Sequence, residues 1–329
     1  MNTTMRSARL VGIRQMQIDR LPIVPPQEGE IQVRIEACGV CATDSRKYEI
    51  GVNDGHYPFN PGHEWLGEVS AVGRGVKKFR VGDRVYGDTY GGYADFATIP
   101  VDPIDWSRGP LQLPKDLDRQ RAILIEPLAD CIHAVRDQAQ LQSGQKLVVI
   151  AAGVMGLKII ADAVRLGCEV MAVEPLAQRQ AAARVFGASL VTGPERWSEA
   201  AAEWTGGQGV NAVILTIGNP DLVMPCVRAA RPGGRVVLFA GFGNRKEAVL
   251  DLNDIHYREI ALVGSEWIGT PPNQRRHRYD EALEFLLDAR VPFESLVTST
   301  CGFGTLEEAL VARQAFSGFK IMFEPERES

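Results

Sequence analysis

The stretch from Lys146 to Glu174 constrains this chain more than any other. It reads Lys146-Leu-Val-Val-Ile150, then Ala151-Ala152-Gly153-Val154-Met155-Gly156, a run to Gly167, and Glu169-Val-Met-Ala-Val-Glu174. The first apolar run suits a strand buried on both faces. Residues Leu157 to Leu166 repeat apolar side chains at helical spacing, and Gly167 stands where a helix C-terminus favours glycine. A second buried strand ends at Glu174. A strand, a glycine-bearing turn, a helix and a second strand form the dinucleotide fingerprint of a βαβ unit.

Each part has its own chemistry. Gly153 lets the backbone approach a pyrophosphate, whose charge is then favoured at a helix N-terminus built from Val154 and Met155 onward. Gly156 lets the helix pack closely on the strand. Glu174 follows Gly153 by 21 positions, near the spacing of about 20 expected of an acid that binds a ribose 2′-hydroxyl. A carboxylate there repels a 2′-phosphate, so NAD is expected over NADP. Arg179, one helical turn further on, is within reach of a 2′-phosphate, but is expected to pack along the adenine or to contact solvent. The first fingerprint position is Ala151 rather than glycine, which the turn accommodates if its φ stays negative. The segments Thr216-Ile217-Gly218, Ala240-Gly241 and Gly264-Ser265 follow further strands, at the edge where a doubly wound sheet holds its ligand.

At 329 residues the chain is long for one core, so two domains are expected. Hydrophobic residues make up 45% and charged residues 23%, with a net charge of −5, and no basic stripe argues for nucleic acid. The run Arg275-Arg276-His277-Arg278 is too short for one and reads as a solvated helix start. No apolar run approaches the roughly 20 residues of a membrane span, and the N-terminus has no apolar signal region. A cytoplasmic protein is expected. Cys38, Cys41, Cys131, Cys168, Cys226 and Cys301 are then thiols or metal ligands rather than a disulfide framework.

The first part of the chain is β-rich and punctuated by Gly and Pro. Glu30 to Glu36 alternates apolar and charged residues as a half-exposed strand does, and Trp65 to Val72 reads as another. After the fingerprint come a strand near Ser189 to Val191, a helix near Glu195 to Trp204, a strand from Val210, a helix ending at Arg231-Pro-Gly-Gly234, and strands from Arg235 and Ile260. These complete a six-stranded doubly wound sheet. Two helices, Tyr279 to Leu287 and Leu306 to Phe316, and a strand, Lys320 to Phe323, close the chain. Pro127 is expected at the first position of a helix, with Glu126 capping it.

The motifs Gly39-Val40-Cys41-Ala42-Thr43-Asp44, Gly62-His63-Glu64, Val81-Gly82-Asp83-Arg84-Val85, Gly91-Gly92-Tyr93-Ala94 and the fingerprint occur in the order found in medium-chain dehydrogenases of the zinc-dependent alcohol dehydrogenase type. The chain resembles that family nearly end to end. The resemblance implies an α/β protein: a Rossmann domain over 128–269, and a β-rich GroES-like catalytic domain over 1–127 that the return segment 270–329 completes. It implies one catalytic zinc held by Cys41, His63 and Glu126, with Glu64 able to approach or withdraw. One thiolate, one imidazole and carboxylates suit zinc. Asp44 would orient the imidazole of His63, Thr43 would begin the proton relay, and His56 would stand near the substrate or relay protons outward.

Glu126-Pro127-Leu128 is similar to the polyol, glucose, threonine and 2-deoxy-scyllo-inosamine dehydrogenase branch, whereas ethanol-type enzymes carry cysteine at the Glu126 position. Only Tyr86 to Tyr90 joins Val85 to Gly91, so the four-cysteine lobe that carries a structural zinc in many members is absent. The resemblance implies NAD-dependent oxidation of a secondary alcohol, on a small hydroxylated substrate such as a polyol, sugar, cyclitol or amino sugar. It also implies a homo-oligomer, dimer or tetramer, acting with neither nucleic acid nor membrane. The rival readings are a metal-free quinone or enone reductase of the same superfamily and a non-catalytic nucleotide-binding protein.

Overall fold

The structure is a computed structural model that describes residues 3–52, 55–102, 109–267, 269–313 and 318–326. It divides into two compact units, Met1–Glu126 with Pro272–Ser329, and Pro127–Pro271.

In the first unit, β1 (Thr4–Gly12) and β2 (Gln15–Pro22) form an antiparallel ribbon. The main sheet is built on β3 (Glu30–Val40), which pairs antiparallel with β4 (Trp65–Val72) and with β6 (Phe96–Pro100). Beyond β4 lie β5 (Arg84–Gly87) and β7 (Leu111–Gln112). The alternation read from Glu30 onward is the core-facing set of β3: Ile31, Val33 and Ile35 are buried with Trp65, Val69 and Val85. The strand runs four residues beyond the alternating stretch, through Ala37-Cys38-Gly39-Val40. That extension is paired too. It meets a strand from the far end of the chain, described below, and so delivers Cys41 from the middle of a sheet rather than from a free loop.

The second unit is a six-stranded parallel sheet. Its strands are β8 (Lys146–Ile150), β9 (Glu169–Val173), β10 (Leu190–Thr192), β11 (Val210–Leu215), β12 (Ala230–Leu238) and β13 (Ala261–Gly264), in spatial order β10-β9-β8-β11-β12-β13. This is the doubly wound order, with its switch point between β8 and β11. The apolar runs at β8 and β9 are buried as parallel strands require. The helix Val154–Arg165 ends just before Gly167, whose φ is +90°. Among its apolar residues this helix buries Lys158 and Asp162, the latter paired with Arg136 and Arg165.

The return segment brings the helix Pro272–Leu286, then β14 (Val297–Cys301), the helix Leu306–Ala312 and β15 (Lys320–Phe323). Strand β15 pairs with the C-terminal end of β3, Met322 opposite Gly39 and Ile321 opposite Val40. The expected extension of the second helix to Phe316 lies outside the described residues. The helix Pro272–Leu286 starts seven residues before the expected Tyr279 and takes in the basic run. No helix is long and apolar enough to cross a membrane among the described residues.

Three local expectations are corrected. The helix expected to begin at Pro127 begins at Ile125, so Pro127 is its third residue and Glu126 lies inside its first turn. Proline is tolerated there because first-turn amides have no intrahelical acceptor. The helix expected to end at Arg231–Gly234 is confined to Val223–Ala229. The residues 231–234 loop out of β12 instead, between the pairs Val210–Ala230 and Ala212–Arg235.

The third correction concerns Ala151, whose φ is +73° rather than negative. The cause is local. The Cβ of any residue at Gly156 would meet the Ala151 carbonyl oxygen at 2.1 Å, so helix and strand are already as close as the backbone allows. The turn is tight enough to need the left-handed region, and an alanine there carries strain of roughly 1–2 kcal/mol. Ala151→Gly removes the clash at some cost in unfolded-chain entropy. The expected net effect is a gain of about 1 kcal/mol, read as a rise of a few degrees in Tm. An unchanged or lower Tm in differential scanning calorimetry would show the turn to be unstrained.

Candidate metal centre and nucleotide edge

Three elements of the first unit converge. Cys41 follows β3 and is the N-cap residue of the helix Ala42–Ile50, where the macrodipole favours negative charge. His63 and Glu64 directly precede β4, and the Gly39 amide donates to the Glu64 carbonyl at 2.8 Å, which fixes their approach to the end of β3. The ligand atoms of Cys41, His63 and Glu64 all lie within 4.8 Å of one another. No other group of this kind occurs among the described residues.

Asp44 lies on the same helix as Cys41 and is fully buried. It accepts hydrogen bonds from the Gly62 amide at 3.1 Å and the Tyr93 hydroxyl at 3.0 Å. Its Oδ2 stands 3.5 Å from Nδ1 of His63. Burial pushes the Asp44 carboxyl up, but His63, Gly62 and Tyr93 outweigh it and hold the group below the usual carboxylate range. Burial alone would lower the His63 pKa. The Asp44 carboxylate, helped by Cys41, holds it well above the ordinary value. The imidazole is thus turned so that Nδ1 faces a permanent anion, which leaves Nε2 for a metal.

Glu64 and Lys320 form an ion pair in which both side chains are almost entirely buried. Lys320 is the first residue of β15, and its role is not legible from sequence, where it reads as a lysine opening an apolar strand. A Cβ at Gly39 would stand 2.2 Å from Oε2 of Glu64 and 2.8 Å from Cε of Lys320. Glycine is therefore required between Cys38 and Val40 for the pair to form.

The remaining expected residues of this unit are placed as follows. Glu126 is not part of the converging trio, although its charge joins that of Glu64 in raising the phenol of buried Tyr86, behind the larger effect of burial. Thr43 is exposed in the first turn of the helix Ala42–Ile50, and His56 is exposed on the loop beyond that helix. Cys38 is fully buried in β3 and burial pushes its thiol well up, so it stays a neutral packed group. Tyr90 packs edge-on against the His63 ring, with centroids 5.3 Å apart, and was not anticipated.

In the second unit the fingerprint residues and their companions lie beyond the carboxyl ends of the strands. Gly153 is the N-cap of the helix Val154–Arg165, and a Cβ built there meets nothing within 4 Å, so its outer side is open to an approaching ligand. Thr216 donates its hydroxyl to the carbonyls of Ile150, at 2.8 Å, and Ala151, at 3.1 Å, and so pins the turn. Gly218 lies against Gly241, where a Cβ would be 2.1 Å from the carbonyl oxygen. Ser265 continues beyond β13 with its amide bonded to Leu238 at 3.0 Å. Ile217, Ala240 and Gly264 occupy the same strand ends, after β11, β12 and at the end of β13.

Glu174 is buried, and its two carboxylate oxygens accept from the amides of Ala152 at 2.9 Å and Leu176 at 3.0 Å. It thereby ties the end of β9 to the fingerprint turn. Each oxygen keeps acceptor capacity for a further donor. Arg179 is half-buried on the helix Ala177–Val185.

The comparisons with known proteins agree with this architecture. Residues 27–104 match the model of the alcohol dehydrogenase GroES-like domain, and residues 154–288 match that of the zinc-binding dehydrogenases. The chain belongs to the zinc-type medium-chain dehydrogenase/reductase family and is an oxidoreductase. Sorbitol dehydrogenase of Bacillus subtilis is 27% identical, with 98% of each chain covered. Among solved structures, a zinc-binding dehydrogenase of Sinorhizobium meliloti 1021 bound to NADP superposes with a TM-score of 0.86 at 21% identity, covering 98% of this chain and 100% of that one. An alcohol dehydrogenase of E. coli CFT073 complexed with NADH superposes at 0.84 and 22% identity, again covering 98% and 100%.

The Glu64–Lys320 pair yields a prediction. Removing one partner of a buried ion pair strands the other, at a cost of about 3–5 kcal/mol. Lys320→Met is therefore expected to lower the urea midpoint of unfolding strongly. The double variant Lys320→Met/Glu64→Gln is expected to recover most of the loss, because no net charge is left buried. A single variant as stable as the parent would show that the pair is not held in solution.

Proposed function

We propose that the protein is a zinc- and NAD-dependent dehydrogenase of a secondary alcohol, acting on a polyhydroxylated substrate. The observation that carries this reading is the convergence of Cys41, His63 and Glu64 within 4.8 Å. A thiolate, an imidazole and a carboxylate form a borderline-soft set that fits zinc better than a hard cation. Zinc held by Cys41, His63 and a carboxylate of Glu64 or Glu126 would supply Lewis acidity, and NAD at the strand ends of the second unit would accept the hydride.

The chain's own residues do the rest. Asp44 faces Nδ1 of His63 and so fixes the ring with Nε2 left for the metal. Glu64 is drawn between the trio and Lys320, so its carboxylate is tethered rather than free to wander. Thr43 carries the hydroxyl proton of the alcohol toward solvent while the carbon loses hydride and becomes a ketone. Glu174 accepts from the adenosine ribose hydroxyls with its remaining lone pairs, and its charge disfavours a 2′-phosphate there. The similarity to a sorbitol dehydrogenase supports a polyol substrate. An assembly of dimers or tetramers in the cytoplasm fits the same reading.

Elemental analysis of protein purified without chelators is expected to give about one zinc per chain, the count for a single site. Cys41→Ala or His63→Ala is expected to lose the metal and turnover while keeping NAD affinity, because the fingerprint belongs to the other unit. Near-normal kcat in either variant would favour the metal-free reductase instead.

Cofactor choice is tested at Glu174. Each charge-assisted hydrogen bond contributes roughly 1.5–3 kcal/mol, or about one to two decades of affinity. The parent is expected to prefer NAD in kcat/KM, and Glu174→Gln is expected to bring the NAD to NADP ratio toward unity. A parent that prefers NADP, or a ratio unmoved by the substitution, removes this role from Glu174.

A further inference from the structure

Beside the metal centre lies a cation that the mechanism does not use. Lys47 belongs to the helix Ala42–Ile50, which Cys41 caps. Its ammonium is 5.2 Å from the ring centroid of Phe59 and 5.4 Å from that of Tyr90. The two rings meet edge-on, with centroids 4.8 Å apart. Tyr90 is also the ring that packs edge-on against His63, and it is 45% exposed. An ammonium, two aromatic rings and a proposed zinc ligand therefore form one continuous contact chain.

The chemistry of this chain differs from that of an ordinary surface lysine. Arg14, which bonds to the same helix end, is paired with Glu49, and Arg46 on the same helix is exposed and touches neither ring. No carboxylate of the described residues is ion-paired with Lys47. Aromatic faces attract and orient an ammonium without neutralising it. The charge is thus held in a defined place and stays available to an anion. Tyr90 offers the intervening surface, a partly exposed aromatic side chain suited to the C–H side of a polyol. A substrate whose reacting carbon lies at the metal trio would extend along Tyr90 and bring its remote end toward Lys47.

Resting on the dehydrogenase reading above, we propose that Lys47 makes this site selective for a polyol bearing an anionic group, a phosphate monoester or a carboxylate, at the end remote from the oxidised carbon. Phe59 and Tyr90 position the ammonium, and Tyr90 carries the chain of the substrate between the two.

The test compares matched substrates on the zinc-loaded, full-length protein. NAD reduction is measured with D-sorbitol, D-sorbitol 6-phosphate and D-gluconate, and with D-arabinitol and its 5-phosphate. Binding of the same compounds to the NAD-loaded protein is measured by calorimetry, so that a compound of the wrong stereochemistry still reports. At least one anionic compound is expected to exceed its neutral counterpart by about tenfold or more, the value of one charge-assisted contact. The phosphate and carboxylate arms show which anion is preferred.

Lys47→Met is expected to lower the anionic to neutral ratio by about tenfold to a hundredfold, mainly through KM, whereas Lys47→Arg retains most of it. The preference should also weaken as ionic strength rises. A parent that binds and oxidises neutral polyols at least as well as anionic ones overturns the assignment of Lys47 and leaves the dehydrogenase reading intact. So does a Lys47→Met variant that loses neutral and anionic substrates in proportion, since that is the mark of a packing role. Failure of every compound both to bind and to reduce NAD, despite bound zinc, overturns both.

Discussion

The buried contact between Glu64 and Lys320 is the interaction on which the catalytic unit depends. It joins residues separated by most of the chain, in surroundings where neither charge could remain alone. Lys320 can arrive only because β15 pairs with the end of β3, and the pair can close only because Gly39 has no side chain. The same end of β3 delivers Cys41. One stretch of sheet therefore sets both the position of a proposed metal ligand and the charge balance of its neighbour.

Asp44 plays the complementary part beside Nδ1 of His63. It is anchored by the Gly62 amide and the Tyr93 hydroxyl before it faces the imidazole, so the ring is oriented by a group that is itself fixed. Outer partners of this kind set the tautomer and direction of a metal-binding histidine. The contrast between the two acids follows from their partners. Asp44 accepts from neutral backbone and phenol donors that hold it in one place. Glu64 is paired with the ammonium of Lys320. A rigid imidazole beside a tethered carboxylate is what a centre needs if one ligand position must change as substrate and water exchange.

The nucleotide unit solves a related problem with different means. Glu174 is wedged between the end of β9 and the fingerprint turn, bonded to the amides of Ala152 and Leu176. Those bonds hold the carboxylate before any cofactor arrives, so little ordering remains to be done on binding. Thr216 pins the same turn from the β11 side. The strained Ala151 persists between these two restraints, as an unfavourable backbone conformation does when its surroundings over-determine it.

The candidate ligands Cys41, His63, Glu64 and Glu126 came from the family resemblance, and only the first three converge among the described residues, whereas the class of fold, the βαβ unit and the order of the motifs were legible in the sequence. Each is written in local spacing, in glycines where a backbone must approach, or in residue types with distinct chemistry. Strand limits such as Trp65–Val72 and Lys320–Phe323 were legible for the same reason, since buried strands declare themselves by apolar runs. The partner of Glu64 was not legible, because a lysine at the head of an apolar strand looks the same whether it is solvated or ion-paired. Nor was the positive φ of Ala151, which helix–strand distance decides and residue type argues against. The excursion of residues 231–234 within β12 was hidden too, because Arg-Pro-Gly-Gly reads equally well as a turn between elements. Sequence determined which groups exist and which segments are strands or helices, through interactions between near neighbours. Tertiary structure decided which charge faces which, because burial and pairing across hundreds of residues are set by the closing of the sheet and by nothing within reach of either residue alone.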